Sequence, residues 1–352
     1  MTSTAMYRLP HADHYTRLTQ REGEPETIGS LPSLNGRNGF VIAPFAPSED
    51  CPILLLRPDE EHTLPLPVSL PASATILSDT TDTGERHRYA TDFARFHTAL
   101  TDGQFRKLVL SRTHRLTIAT PAGQRETDDE TLTAVFLRAC ALYPHQYVAL
   151  FSTPKSGTWL VATPEILVEG TDNTYTTMAL AGTMSIPTGT AESDIIWSDK
   201  NREEQHIVED YIQACINRWS DTQEKHGPYT ARAGQLVHLR TDFRFTLADT
   251  RHLGDLLATL HPTPAVCGLP KQEAATFILG HESEHRRYYS GFCGPLVPGG
   301  QTHLYVTLRC MSIDGNVCTL HAGGGLLGES TEQSEWDETE AKMETMRNVL
   351  RL

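Results

Sequence analysis

Several things are missing from this 352-residue chain, and each absence narrows what it can do. There is no run of Lys or Arg, and 30 basic residues against 44 acidic ones leave a formal charge of −14. Such a chain is a poor partner for a phosphate backbone. The first residues, MTSTAMYRLPHADHYTRL, contain no apolar h-region of a secretory signal. The longest dense apolar run near them is Ile53–Leu56, far short of the ~20 residues a membrane span needs. Seven cysteines are scattered, odd in number and never spaced C-x-x-C, which fits reduced thiols better than disulfides or a Cys-type zinc site. The expectation is a cytoplasmic protein with neither nucleic acid nor membrane as partner.

What is present is a chain with 39% hydrophobic residues, ample for a real core and too many for a disordered one. Its length suggests two domains or one large one. Residues 1–85 are rich in Pro, Ser and Thr with short strand-like pieces, and the texture changes near Arg86. Helices are expected over Tyr89–Leu100, Thr131–Tyr143, Lys200–Trp219, Ala274–Gly280 and from Thr331 onward. Strands are expected over Lys107–Ile118, Tyr147–Phe151, Trp159–Val168, Gly291–Leu296, Leu304–Met311 and Val317–Ala322. Strand clusters separated by isolated helices favour an α+β class with antiparallel sheets.

Two motifs suggest chemistry that their context disfavours. His281-Glu282-Ser283-Glu284-His285 matches H-E-x-x-H, the zinc-binding pattern of a metal hydrolase, but Gly280 precedes it and two arginines follow. Gly323–Gly328 matches G-x-G-x-x-G, yet only one helix follows, so the second strand of a dinucleotide site has no place. Three glycines after a strand still let backbone N–H groups approach an anion.

More telling are carboxylates on otherwise apolar faces. Glu204 shares a helical stripe with Ile207, Val208, Tyr211 and Cys215, and Asn201 lies three residues before it. Glu335, Glu338 and Lys342 share another stripe with Met346 and Val349. Buried carboxylates need protons or a cation, and an all-oxygen set suits Mg²⁺ shared with an anionic substrate. Lys107 opens an apolar strand and Glu165 interrupts another, positions that poise one as base and one as acid.

Read in order, KLVLSR (Lys107–Arg112), GTWLVATPEILV (Gly157–Val168), LAGT (Leu180–Thr183), SDKNREEQ (Ser198–Gln205) and VHLRTDF (Val237–Phe243) resemble the chorismate-utilising enzymes. So do LHPTPAVCGLPKQEA (Leu260–Ala274), RRYYSGFCG (Arg286–Gly294), VTLRC (Val306–Cys310) and HAGGGLLGESTEQSEWDETEAK (His321–Lys342). The resemblance runs from about Arg86 to the C-terminus. It implies two large antiparallel β-sheets packed as a sandwich with helices outside, the anthranilate synthase component I-like fold. Residues 1–85 would complete that sandwich and 86–352 form the chorismate-binding catalytic region, together one large domain.

Within the family, Lys107 stands where ammonia-using anthranilate synthases have Gln, implying water as nucleophile. Ala181 stands where aminodeoxychorismate synthases carry a nucleophilic Lys. LHPTPAVCG, with Ala265 where salicylate synthases have Thr, is most similar to isochorismate synthases, and the menaquinone-pathway type is implied, with salicylate synthase the neighbouring alternative. That implies a Mg²⁺-dependent isomerase interconverting chorismate and isochorismate, monomeric and without an obligatory glutamine amidotransferase subunit. Lys107 would be the base and Glu165 the acid, with Mg²⁺ on Glu204, Glu338 and, through water, Glu335. Gly182, Thr183, His238, Ala265, Tyr289, Arg309, Gly323, Gly324 and Lys342 would bind substrate. Two departures stand out: Asn201 replaces the family's acidic outer-shell residue, implying weaker Mg²⁺ binding, and Gln205 replaces a His.

Overall fold

A computed structural model describes residues 2–69, 76–79, 84–119, 128–185, 192–233 and 236–351. It contains two antiparallel sheets packed face to face. The first has ten strands; its path runs Gly268–Leu269, Lys107–Ile118, Val317–Leu326, Cys310–Asp314, Gly157–Thr163, Tyr147–Thr153, Ser3–Arg8, His14–Gln20 and Glu60–Pro65, and Ile76–Asp79 also pairs with Lys107–Ile118. The second has nine, in the order Gln223–Ala233, Leu236–Thr246, Thr174–Ser185, Ile166–Thr171, Thr302–Val306, Phe292–Leu296, Gly39–Ala43, Ile53–Leu56 and Glu26–Ile28. Six α-helices accompany them among the described residues: α1 (Glu85–Thr101), α2 (Asp129–Leu142), α3 (Asp199–Ile216), α4 (Leu253–Leu260), α5 (Lys271–His281) and α6 (Glu332–Leu350). None is long and apolar enough to cross a membrane.

Continuous apolar strands are explained by burial on both faces. Tyr147, Ala149 and Phe151 join Trp159 and Val161 in the core between the sheets, while Val148, Leu150, Leu160 and Ala162 pack outward with residues of α2 and α6. In the second sheet, Ile53 and Leu55 face the cluster containing α3 and α4, while Leu54 and Leu56 turn inward. The result is helix, sheet, sheet, helix, each fully buried large side chain contributing roughly 1.5–3 kcal/mol. Strands from residues 3–65 enter both sheets.

Three differences from the sequence expectation matter. The expected strand Trp159–Val168 is two strands, Gly157–Thr163 in the first sheet and Ile166–Thr171 in the second. Likewise Leu304–Met311 divides into Thr302–Val306 in the second sheet and Cys310–Asp314 in the first. Period-two patterning cannot distinguish one long strand from two that change sheets, though Pro164 marks the first break. Third, Gly323–Gly325 lie within strand Val317–Leu326, not in a turn after it. Helix α4 was not anticipated.

Candidate active site

The two crossings between sheets run side by side. Val306 N–H donates to Glu165 O at 3.0 Å, and Ala162 N–H to Arg309 O at 3.0 Å. Each crossing therefore presents a charged side chain, Glu165 or Arg309, to one cavity. Val317–Leu326 outruns its neighbour Cys310–Asp314, whose pairing stops at His321. Its glycine stretch therefore has an open edge, with Gly323 and Gly325 lining the cavity. Thr183 and His238 come from paired strands of the second sheet, with a register shift between Ala181 and Thr183. Gly182 sits at that bulge with φ +67°; a Cβ there would meet the Asn201 carbonyl at 2.9 Å.

Helices α3 and α6 supply the rest. Ser198 and Thr331 cap them through the N–H groups of Asn201 and Ser334. Glu204 on α3 faces Lys107, Nζ to Oε1 3.0 Å, and the lysine is wholly buried. A Cβ on Gly325 would lie 2.0 Å from Glu204 Oε1 and 2.9 Å from Lys107 Cε, so a larger residue would oblige this pair to shift from its place over the strand. A Cβ on Gly324 would meet Glu335 Oε2 at 2.9 Å and Glu338 Oε1 at 3.5 Å. Glu338 pairs with Lys342 at 2.6 Å, whose Nζ also donates to Gly323 O at 2.8 Å. Glu335 pairs with Lys200.

Burial raises the Glu165 carboxyl to about 7 despite Lys107, Lys342 and Arg309 nearby. Glu335 is likewise raised to about 7, by burial and the adjacent Glu338. Glu204 is lowered: burial opposes ionisation, but Lys107 and Lys200 outweigh it. Burial, then Arg309 and Lys342, push His238 well below its ordinary value, so the ring is neutral. Its Nε2 lies 3.2 Å from Arg309 Nη2 and must accept, leaving Nδ1–H for Thr183 Oγ1 at 3.2 Å.

Of the sequence-derived site residues, Glu165, Thr183, Glu204, His238, Ala265, Tyr289, Arg309, Gly323 and Lys342 line the cavity. Lys107, Gly182, Gly324, Glu335 and Glu338 lie immediately behind that wall, through the contacts just given. Gln205 points elsewhere, its amide donating to Ala179 O and Thr241 Oγ1 at 3.2 Å each, so it bridges α3 to the second sheet. The sequence reading missed Lys200, and also His321, which lines the cavity beside Tyr289 and Trp159. Burial lowers His321 to about 3, so it too is neutral. Its signal was available as the first residue of HAGGG.

The H-E-x-x-H reading fails because α5 ends at His281, leaving His285 off the helix, and Glu282 is consumed by Arg286 at 2.5 Å. Among the described residues no group of three His, Cys, Asp or Glu side chains forms a ready metal cage. Mg²⁺ does not require one, since one or two carboxylates and substrate commonly hold it. The oxygen set fits: Glu335 Oε2 is buried without a hydrogen-bond partner, though Ser330 lies close to that carboxyl, and each glutamate is presently balanced by a lysine.

A family model described as chorismate binding enzyme matches residues 62–351. The salicylate biosynthesis isochorismate synthase of Pseudomonas aeruginosa is 31% identical over 274 residues, 76% of this chain and 55% of that protein. Isochorismate synthase DhbC of Bacillus subtilis is 30% identical over 71% of this chain and 64% of its own length. MenF of Escherichia coli is 29% identical over 72% and 58%. The matches thus span less than two thirds of these relatives. The solved structure of MenF from Escherichia coli superposes with a TM-score of 0.82 at 22% identity, covering 99% of this chain and 89% of that one. Anthranilate synthase component I from Streptococcus pneumoniae gives 0.69 at 15% identity, covering 98% and 92%. At these identities the structural likeness speaks for the fold.

Proposed function

The chain belongs to the chorismate-binding enzyme family, and from that premise we propose that it is an isochorismate synthase, adding water at C2 of chorismate as the C4 hydroxyl leaves. One observation carries the reading: Glu165, a carboxyl raised to about 7, shares a cavity with Arg309, Lys342 and Glu204, behind which Lys107 is paired. A dicarboxylate substrate would find cationic partners there, and Ala181 in the wall offers no competing amine nucleophile.

In this mechanism Arg309 holds a substrate carboxylate with its fork, oriented by its contact to neutral His238. Tyr289 and the open edge at Gly323 bound the same end, and Thr183, Ala265 and Lys342 bound the ring. Lys107, whose Nζ lies 3.0 Å from Glu204 Oε1, takes a proton from the attacking water. Glu165 delivers a proton to the departing C4 hydroxyl while the ring double bonds shift. One water adds and one leaves, so the reaction is an isomerisation. Glu204 and Glu338, with Glu335 behind them, would hold Mg²⁺, which when bound would neutralise the ring carboxylate and polarise the ring.

Incubation with chorismate and Mg²⁺, without ammonia, tests the proposal. Isochorismate identified by mass and spectrum is expected; salicylate with pyruvate, or unchanged chorismate, overturns it. The menaquinone placement is the finer part of the proposal, since vibriobactin-specific and MenF relatives are equally similar, 29% each. Complementation of a strain lacking its menaquinone-pathway isochorismate synthase checks that part.

A further inference from the structure

Strand Lys107–Ile118 carries the proposed base at its first residue, yet its outer side is poorly covered. Gly268–Leu269 pairs with Lys107 and Leu108, and Ile76–Asp79 with Leu116–Ile118. Among the described residues no strand covers the stretch between. Buried backbone groups left unpaired there would cost roughly 1–3 kcal/mol each.

Side chains close much of this gap. Glu282 Oε1 accepts the Ser111 N–H at 2.8 Å, and Arg286 Nη2 donates to Val109 O at 2.7 Å. Arg286 Nη1 donates to Val266 O at 2.6 Å, and Cys267 O accepts the Val109 N–H at 2.7 Å. Nε and Nη2 of Arg286 grip the two oxygens of Glu282 at 2.7 and 2.5 Å. The two side chains are 2% and 4% exposed, and the guanidinium lies 4.4 Å from the Phe45 ring centroid. The Arg286 carbonyl also accepts the Tyr289 N–H at 2.9 Å.

We infer that Glu282 and Arg286 are positioning residues of the active site, standing in for strand pairing beside Lys107 and fixing two walls of the cavity relative to one another. The inference rests on the proposed isochorismate synthase reading. Val109 and Val266 both line the cavity, and each has its carbonyl on the Arg286 guanidinium, while cavity-lining Tyr289 follows three residues on through a main-chain turn. An ion pair kept only for stability has no need to end on those backbone groups, and apolar residues commonly serve as well. A lysine could not replace the arginine, because a point charge lacks the planar fork that spans two carbonyls and a carboxylate. Displacing a catalytic group by about 1 Å can cost on the order of 10²-fold in rate.

Arg286→Lys and Glu282→Gln test this, read by kcat and KM for chorismate per folded molecule, thermal midpoint, and amide hydrogen exchange at residues 107–112. Arg286→Lys should fold, lose roughly tenfold or more in kcat, raise KM, and exchange faster at Val109 and Ser111. Glu282→Gln keeps an oxygen for the Ser111 N–H and should retain more activity than Arg286→Lys. Folded variants with kcat and KM within about twofold of the parent overturn the inference whatever their stability. If Arg286→Lys does not fold, Glu282→Gln decides alone by the same criterion. A parent that does not convert chorismate defeats the functional reading instead; exchange at 107–112 then decides, and unchanged exchange overturns the positioning role.

Discussion

Strand Lys107–Ile118 and helix α6 bring buried charge together in two places, and the two places use it differently. In one, Arg112 pairs with Glu85 and Glu340, donates to Thr339 Oγ1 at 2.6 Å, and stacks 3.7 Å from the Trp336 ring centroid. His114 Nδ1 lies 2.9 Å from the same Glu85. In the other, Lys107, Lys200 and Lys342 meet Glu204, Glu335 and Glu338 one to one, and Glu165 and Glu335 are raised to about 7. The first cluster is saturated by forked hydrogen bonds and an aromatic face. The second borders a cavity and keeps bonding capacity in reserve. Buried charge alone therefore does not mark a site; buried charge with unspent valence beside a cavity does.

The sharpest way to break that contrast is to remove one charge from each place. Lys107→Ala and Glu165→Gln should each lose roughly 10²–10⁴-fold in turnover while remaining folded. Arg112→Met should cost about 3–5 kcal/mol of stability, because Glu85 and Glu340 lose their shared partner, with turnover per folded molecule near the parent's. Denaturant melts and initial rates on the same preparations check both. Full activity in Glu165→Gln, or an inactive but stable Arg112→Met, would exchange the roles assigned to the two clusters.

How far the sequence discloses this difference depends on the element. Glu204 and Glu338 stand out because helical periodicity continues from them into apolar residues, and a helix face can be read from spacing alone. Glu165 and Arg309 owe their placement to strands that change sheets at 163–166 and 306–310, which alternation does not encode. Glycines 323–325 look like a turn because glycine weakens strands; their strand assignment depends on what lies above them, including the Glu204 carboxylate that a Cβ at 325 would strike. Lys200 is invisible for another reason. One lysine among exposed helix charges gains meaning only when α6 docks Glu335 against it.

A smaller effect sharpens the contrast through pH. The Glu165 carboxyl rises from 4.5 to about 7 on folding, so between those values the folded state binds the extra proton. Stability from this group is therefore present at low pH and lost as pH climbs from about 4.5 to about 7, on the order of 3 kcal/mol in all. Glu165→Gln should raise the thermal midpoint relative to the parent more at pH 8 than at pH 5, while the parent's turnover falls above pH 7 as the acid form disappears. Comparing the variant with the parent isolates Glu165 from Glu335, which titrates in the same range. A midpoint difference independent of pH would return Glu165 to the ordinary carboxyls.

The smallest effect concerns how much negative charge the open cluster can still use. Asn201 is buried on the first turn of α3, its N–H capped by Ser198 Oγ at 3.2 Å, three residues before Glu204. Its carbonyl packs against the Gly182 bulge, so the backbone there is fixed and a change to Asp alters charge with little change in shape. A carboxylate at that position would repel Glu204 along the helix, by roughly the few tenths of a kcal/mol typical of like-charged neighbours, unless a cation screens both. If the cluster is a Mg²⁺ site, Asn201→Asp should lower thermal stability slightly without metal and tighten divalent-ion binding by about threefold to fivefold, read by calorimetry with Mg²⁺ in the absence of substrate. Unchanged affinity would mean that Lys200, Lys107 and Lys342 already supply all the positive charge these glutamates require. The second cluster would then be as saturated as the first.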